Sequence, residues 1–210
     1  MAKKHDQSDT AAKAANLRAQ QQRSERIRNF LIVGGAGVVA IALIAVAVFS
    51  VQRERGLADP SKIEGLVTTK VAAGDHKEGT IAYESLPPAG GPHNAQWLNC
   101  GVYTESQKPE LAVHSLEHGA VWISYKPELD AAGVEKLAKL AVGDPYILVS
   151  PLAEQEAPIV LTAWGLQLTV DSADDERVER FVRSFSNGPQ TPEPGAVCFG
   201  GVEGPGRVAS

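Results

Sequence analysis

The chain has 210 residues, 43% of them hydrophobic, with 20 basic and 25 acidic side chains and a formal net charge of −5. Such a length admits one domain with additional segments. Seven of the basic residues and three of the acidic ones precede residue 30, which leaves residues 52–210 with 13 against 22, a formal charge of −9. A nucleic-acid partner would favour a basic face, and that balance argues against one.

Residues 1–29 form a basic tail carrying Lys3, Lys4, Lys13, Arg18, Arg23, Arg26 and Arg28, with no apolar stripe wide enough for a core. From Phe30 to Val51 the chain has no charge and only Ser50 as a polar residue. At 1.5 Å per residue a helix of that length spans roughly 33 Å, enough for a hydrocarbon core of about 30 Å. Residues 30–51 therefore read as a transmembrane helix. The rival reading is a cleaved signal at Ala45-Val46-Ala47, but the apolar run continues past that point and follows a long tail. The excess of Lys and Arg before the run predicts a cytoplasmic N-terminus, with the C-terminal part extracytoplasmic at the cell membrane. Residues 52–63 are a polar juxtamembrane linker, 64–201 a folded domain and 202–210 a C-terminal tail.

Within the domain, Leu66–Val71 reads as a strand. Residues 84–101, rich in Pro and Gly, read as an ordered irregular loop. Ala120–Tyr125 is β-branched and aromatic, a strand ended by Pro127. Leu129–Val142 has Leu137, Leu140 and Ala141 at helical spacing. Tyr146–Val149 and Ile159–Trp164 are further strands, and Leu166–Val170 pairs back through a turn at Gly165. Asp174–Phe185 places Val178, Phe181, Val182 and Phe185 on one helical face, with Ser172 or Asp174 as cap. This order predicts an α+β fold: a single small antiparallel or mixed sheet with two packed helices on one face. A long irregular N-terminal segment packs across or beside it, and one transmembrane helix precedes the whole.

Chemistry concentrates in two places. His114-Ser115-Leu116-Glu117-His118 places three metal-competent side chains within five residues, and on a helix positions 114 and 118 share a face. His-x-x-Glu-His also matches an inverted zinc-peptidase motif with Glu as general base, but that motif needs a long helix and Gly119 follows at once. Upstream, His93 follows the stiff run Pro87-Pro88-Ala89-Gly90-Gly91-Pro92. His93, His114 and His118 make a candidate three-His site, with Glu117 as fourth ligand or as the group that orients an imidazole. Zinc or copper suits such donors, while a blue-copper site is disfavoured because the only methionine is Met1. The plain alternative is histidines that hydrogen-bond the backbone of a glycine-rich turn and do nothing more. Cys100 and Cys198 lie where disulfides persist. Cys100 is open to three readings, disulfide partner, metal ligand or buried thiol, and the existence of Cys198 favours the first. Trp97 and Tyr103 are candidates to line a groove. No Gly-x-x-x-x-Gly-Lys, Gly-x-Ser-x-Gly or Cys-x-x-Cys is present, so catalysis is the less favoured reading.

The run Pro87–His93, Trp97, Cys100-Gly101-Val102-Tyr103, His114–Gly119, and Gly188–Gly195 with Cys198 together resemble one family over residues 64–201. It is the group of membrane-anchored actinobacterial-type proteins named domain of unknown function 3105. This chain departs from the family pattern at Gly90, where the pattern has Ser. The resemblance implies the layout of anchor and external domain and makes the His-bearing motifs family features, but it implies no activity. Three functions stay open. The first is an extracytoplasmic protein binding zinc or copper. The second is a disulfide-braced cell-envelope interaction module that docks a protein partner without metal. The third is a metal-dependent hydrolase.

Overall fold

A computed structural model describes residues 41–52 and 59–208, with Arg23 and Arg26. The chain divides into two units, residues 1–54 and 55–210, each described by itself. In the first, residues 41–52 are helical and expose Ile41, Leu43, Ile44, Val46, Val48, Phe49 and Val51. Ser50 Oγ donates to Val46 O at 2.9 Å, one turn back. Residues 1–22 of the basic tail and residues 30–40 of the apolar run lie outside the described residues. Among the described residues no helix is long and apolar enough to cross a membrane.

The second unit is α+β. After a 3-10 turn at Pro60–Lys62 come β1 (Val67–Thr68), β2 (Gly101–Val102), α1 (Pro109–Glu117), β3 (Val121–Tyr125) and α2 (Ala131–Lys139). Then follow β4 (Ile147–Pro151), β5 (Ile159–Ala163), β6 (Leu166–Val170) and α3 (Glu176–Phe185). The six strands form one mixed sheet in the order β1-β6-β5-β3-β4-β2. β4 pairs parallel with β3 and β2, while β3–β5, β5–β6 and β1–β6 are antiparallel. The β3–β4 crossover is α2, as a parallel connection requires a long return.

Alternation along the strands sorts side chains to two faces. Val121, Ile123 and Tyr125 of β3, with Ile147 and Val149 of β4, join Leu137 of α2 and Val178, Phe181 and Phe185 of α3 in one core. Trp122 and Leu148 face the other way and pack with Leu98, Tyr103, Ala112, Val113, Leu116 and the Cys100–Cys198 pair. Covered on both faces, β3 is buried at every position, which explains its unbroken apolar run. Trp122 keeps its indole satisfied by donating to Ser150 Oγ at 3.0 Å.

Two expectations are corrected. Helices do not lie on one face only, since α1 packs in the second core with the irregular segment. The His-bearing motif forms a helix of its own, which makes three α-helices among the described residues of this unit where two were expected. Pro109 opens α1 at its first turn, where its missing N–H is no loss. Gly119 closes it at φ +103°: its N–H donates to Leu116 O and that of Ala120 to Ser115 O. That pair of bonds is the Schellman ending, which favours glycine. A Cβ at Gly119 would also stand 3.0 Å from Thr191 Oγ1 and 3.1 Å from Asn187 Cα.

Candidate metal centre

The site is built on the last turns of α1. His114, Glu117 and His118, spaced three and four residues apart, project from neighbouring positions, while Ala112, Val113 and Leu116 enter the core. The irregular segment before the helix is tied to it by backbone bonds. Asn94 N donates to Glu110 O at 3.0 Å and Leu98 N to Leu111 O at 3.1 Å, and Ser115 Oγ donates to Leu98 O at 2.6 Å. Those ties bring His93 against the helix. The loop ahead of His93 is held from its other side, where Tyr83 Oη donates to Pro92 O at 2.7 Å and Gly165 N to Ala89 O at 2.7 Å. Burial, and then the charge of Glu110, raise the Tyr83 phenol above its ordinary value and keep it a donor.

A fourth histidine comes with the strand-like bridge between His76 and His93. Lys77 N donates to His93 O at 2.7 Å and His93 N to Asp75 O at 3.0 Å. One donor atom from each of His76, His93, His114 and Glu117 lies within 4.8 Å of the others. His93 and Glu117 are 0% and 1% exposed, whereas the His76 side chain is 42% exposed and faces solvent.

Each ring below the surface is oriented by a main-chain carbonyl. Nδ1 of His93 lies 2.7 Å from Gly91 O, that of His114 2.7 Å from Asn94 O, and that of His118 2.8 Å from Val197 O. A carbonyl only accepts, so each Nδ1 carries a proton, and in the neutral tautomer the lone pair lies on Nε2. Glu117 Oε1 accepts from Gly74 N at 2.6 Å, leaving Oε2 directed inward. There His93 Nε2 stands 2.8 Å from Oε2, an ion-pair distance without hydrogen-bond geometry, and both atoms are buried with no hydrogen-bond partner. The His114 imidazole is held below its ordinary value, chiefly by burial, against the Asn94 carbonyl and with help from His118, His93 and His76. A ring kept neutral in this way is the form that binds metal.

His118 does not join that quartet. It lies beside it, with ring centroids of His114 and His118 4.6 Å apart, and forms a second group with His114 and Glu193. Its Nε2 is 3.3 Å from Glu193 Oε2. Trp97 covers both rings, at 4.8 Å from His118 and 5.8 Å from His114. Tyr103 is fully buried and donates to Asn99 O at 2.7 Å, so it lines no open groove. Cys100 and Cys198 are disulfide-bonded across 98 residues, which removes Cys100 from any ligand set.

The family model described as a protein of unknown function (DUF3105) matches residues 76–200. The chain belongs to that family. The matched stretch begins at His76 and runs past Cys198, so it takes in every member of both His groups and the disulfide. No curated protein and no solved structure matches the chain. Sequence reasoning found His93, His114 and Glu117 of the quartet but not His76, which stands alone in the polar run Gly74-Asp75-His76-Lys77-Glu78-Gly79. Glu193 was likewise missed, its acidic side chain set among prolines.

Proposed function

We propose that this DUF3105 domain is an extracytoplasmic metal-binding module that holds one zinc or copper ion through His76, His93, His114 and Glu117. One observation carries the reading: buried His93 Nε2 and Glu117 Oε2 converge with no hydrogen bond between them. With the Nδ1 protons committed to carbonyls, His93 Nε2 and Glu117 Oε2 face each other at 2.8 Å, and neither is hydrogen-bonded. Burying a carboxylate without a counter-charge is costly, and a cation resolves both the charge and the facing lone pairs. Three imidazoles and one carboxylate form a donor set that suits zinc or copper, and four ligands fill a tetrahedral zinc sphere. Carbonyl partners on the far ring nitrogens are the usual orienting contacts of ligating histidines. The ion also lies at the C-terminal end of α1, where a positive charge is favoured.

The membrane setting belongs to the same reading. The apolar run 30–51 anchors the domain outside the cytoplasm, and the exposed apolar side chains of residues 41–52 and the Ser50 hydroxyl turned onto Val46 O suit a lipid surround.

Elemental analysis of the purified full-length chain tests the metal reading. After equilibration with trace zinc and copper, about one ion per chain is expected, as a single tetrahedral site requires. A variant with His76, His93 and His114 replaced by Ala should hold none. A metal-free parent that remains folded would overturn the proposal.

A further inference from the structure

The quartet of His76, His93, His114 and Glu117 and the triad of His114, His118 and Glu193 overlap at one residue. His114 Nδ1 is committed to Asn94 O, so the ring has a single lone pair, on Nε2. That lone pair serves one ion in the quartet or one in the triad, never both at once. We propose that the two groups are two positions for the same divalent ion, an outer one that captures it and an inner one that holds it, with His114 as the ligand kept through the transfer. The inference rests on the metal reading given above.

Several features fit this assignment. The Glu193 side chain is 48% exposed, while the inner side chain of Glu117 is 1% exposed. The outer set has three donors and leaves room for water, whereas the inner set has the four that complete a tetrahedral zinc sphere. Each position supplies one carboxylate, so the ion trades Glu193 for Glu117 without losing its counter-charge. The two residues are also tied directly, Glu193 N donating to Glu117 O at 3.3 Å. The remaining exchange, His118 for His76 and His93, passes between rings whose centroids lie 4.6 Å, 5.0 Å and 4.9 Å, respectively, from that of His114. His76 offers a competing entrance at the opposite margin, since it too is exposed. The difference is that removing His76 removes a resident ligand, whereas removing Glu193 removes only the approach.

The test is rapid mixing of the metal-depleted full-length chain with Co²⁺, followed by its visible absorption, for the parent, Glu193→Gln and His118→Gln. Parent and both variants should reach the same final spectrum at about one Co²⁺ per chain. Loading of either variant should be slower by about tenfold or more, the scale on which a local charge changes capture rates. Unchanged loading rates in Glu193→Gln would overturn the proposal, and so would two ions per chain at saturation or an altered final spectrum in the variants. Those outcomes leave the inner site standing. A parent that binds no Co²⁺ would instead overturn the metal reading and this inference together.

Discussion

His93 Nε2 and Glu117 Oε2 stand 2.8 Å apart in the buried centre of the domain, and neither takes part in a hydrogen bond. Two acceptors so placed repel unless a cation or a proton lies between them. Glu117→Gln separates these cases. Its carbonyl oxygen can keep the bond from Gly74 N, while its amide donates to His93 Nε2. The metal-free variant should then be as stable as the parent, or more stable by about 1–3 kcal/mol, the cost of an unsatisfied buried group. Metal uptake should be lost. Urea unfolding in the presence of a chelator checks the first part, and a marked loss of stability would mean that the pair is proton-bonded in the native state.

His76 should behave differently from its partners. Its side chain is 42% exposed and packs against the His93 and His114 rings, so His76→Ala should change metal-free stability by no more than about 0.5–1.5 kcal/mol. Affinity should fall by more than the roughly 10–100-fold typical of losing an outer-sphere contact. The parent should gain about 2.7 kcal/mol in unfolding free energy at an ion concentration 100 times its Kd. Calorimetric titration with zinc, paired with thermal unfolding, measures both.

Gly90 is constrained by space as well as by backbone angle. It has φ +141°, and a Cβ there would stand 2.8 Å from Val71 Cγ2. Gly90→Ser should cost about 1–3 kcal/mol through strain and overpacking. The loop that aims His93 would shift with it, so metal affinity should fall alongside the unfolding midpoint. If Gly90→Ser were neutral in both, Val71 must yield freely.

Reduction of the disulfide opens a loop of 98 residues. The chain-entropy treatment values such closure at about 4.7 kcal/mol, and loss of native disulfides commonly costs about 2–5 kcal/mol. Cys198 follows Val197, whose carbonyl orients His118, so a Cys100→Ser, Cys198→Ser variant should also disturb the outer triad. Denaturant unfolding with and without reductant gives the magnitude. An unchanged midpoint would show that the two strands of chain are held by packing alone.

Asp175 supplies an acid-dependent contribution. It caps α3 by accepting from Arg177 N at 2.9 Å and pairs with the Arg177 guanidinium at 2.6 Å. That side-chain bond, more than any other contact, holds its carboxyl below the ordinary value of 3.8. A depressed value stabilises the fold above the unfolded-state pKa and is lost as the pH falls through the folded one. Asp175→Ala should therefore cost about 1 kcal/mol at pH 7, as cap losses do, with the gap to the parent closing under acid. Urea midpoints between neutral pH and pH 3 follow it.

Much of the sheet was legible because β3, β5 and β6 announce themselves through β-branched runs, and the Gly165 turn joins the last two as expected. The helix at 176–185 was clear for the same kind of reason, though its cap is Asp175 and not Ser172 or Asp174. The helix carrying the site was not recognised. It has no solvent face: Glu110, His114, Ser115 and Glu117 are buried along with Ala112, Val113 and Leu116, so no apolar stripe stands out against a polar one. Pro109 and Gly119 did mark its ends, and that asymmetry was the usable signal. β2 is two residues long and is specified by its neighbours, not by its own pattern. His76 reaches the site through its bridge to His93 and the bond from Gly74 N to Glu117, long-range contacts that leave no trace in local sequence.

The quartet draws on residue 76 in one loop, 93 in another and 114 and 117 on a helix, while the Val197 carbonyl that orients His118 in the neighbouring triad sits beside a cysteine bonded to residue 100. An extended chain therefore presents scattered imidazoles and no cage. Loading of the proposed site would have to follow folding, so an ion held there would record that the fold was complete.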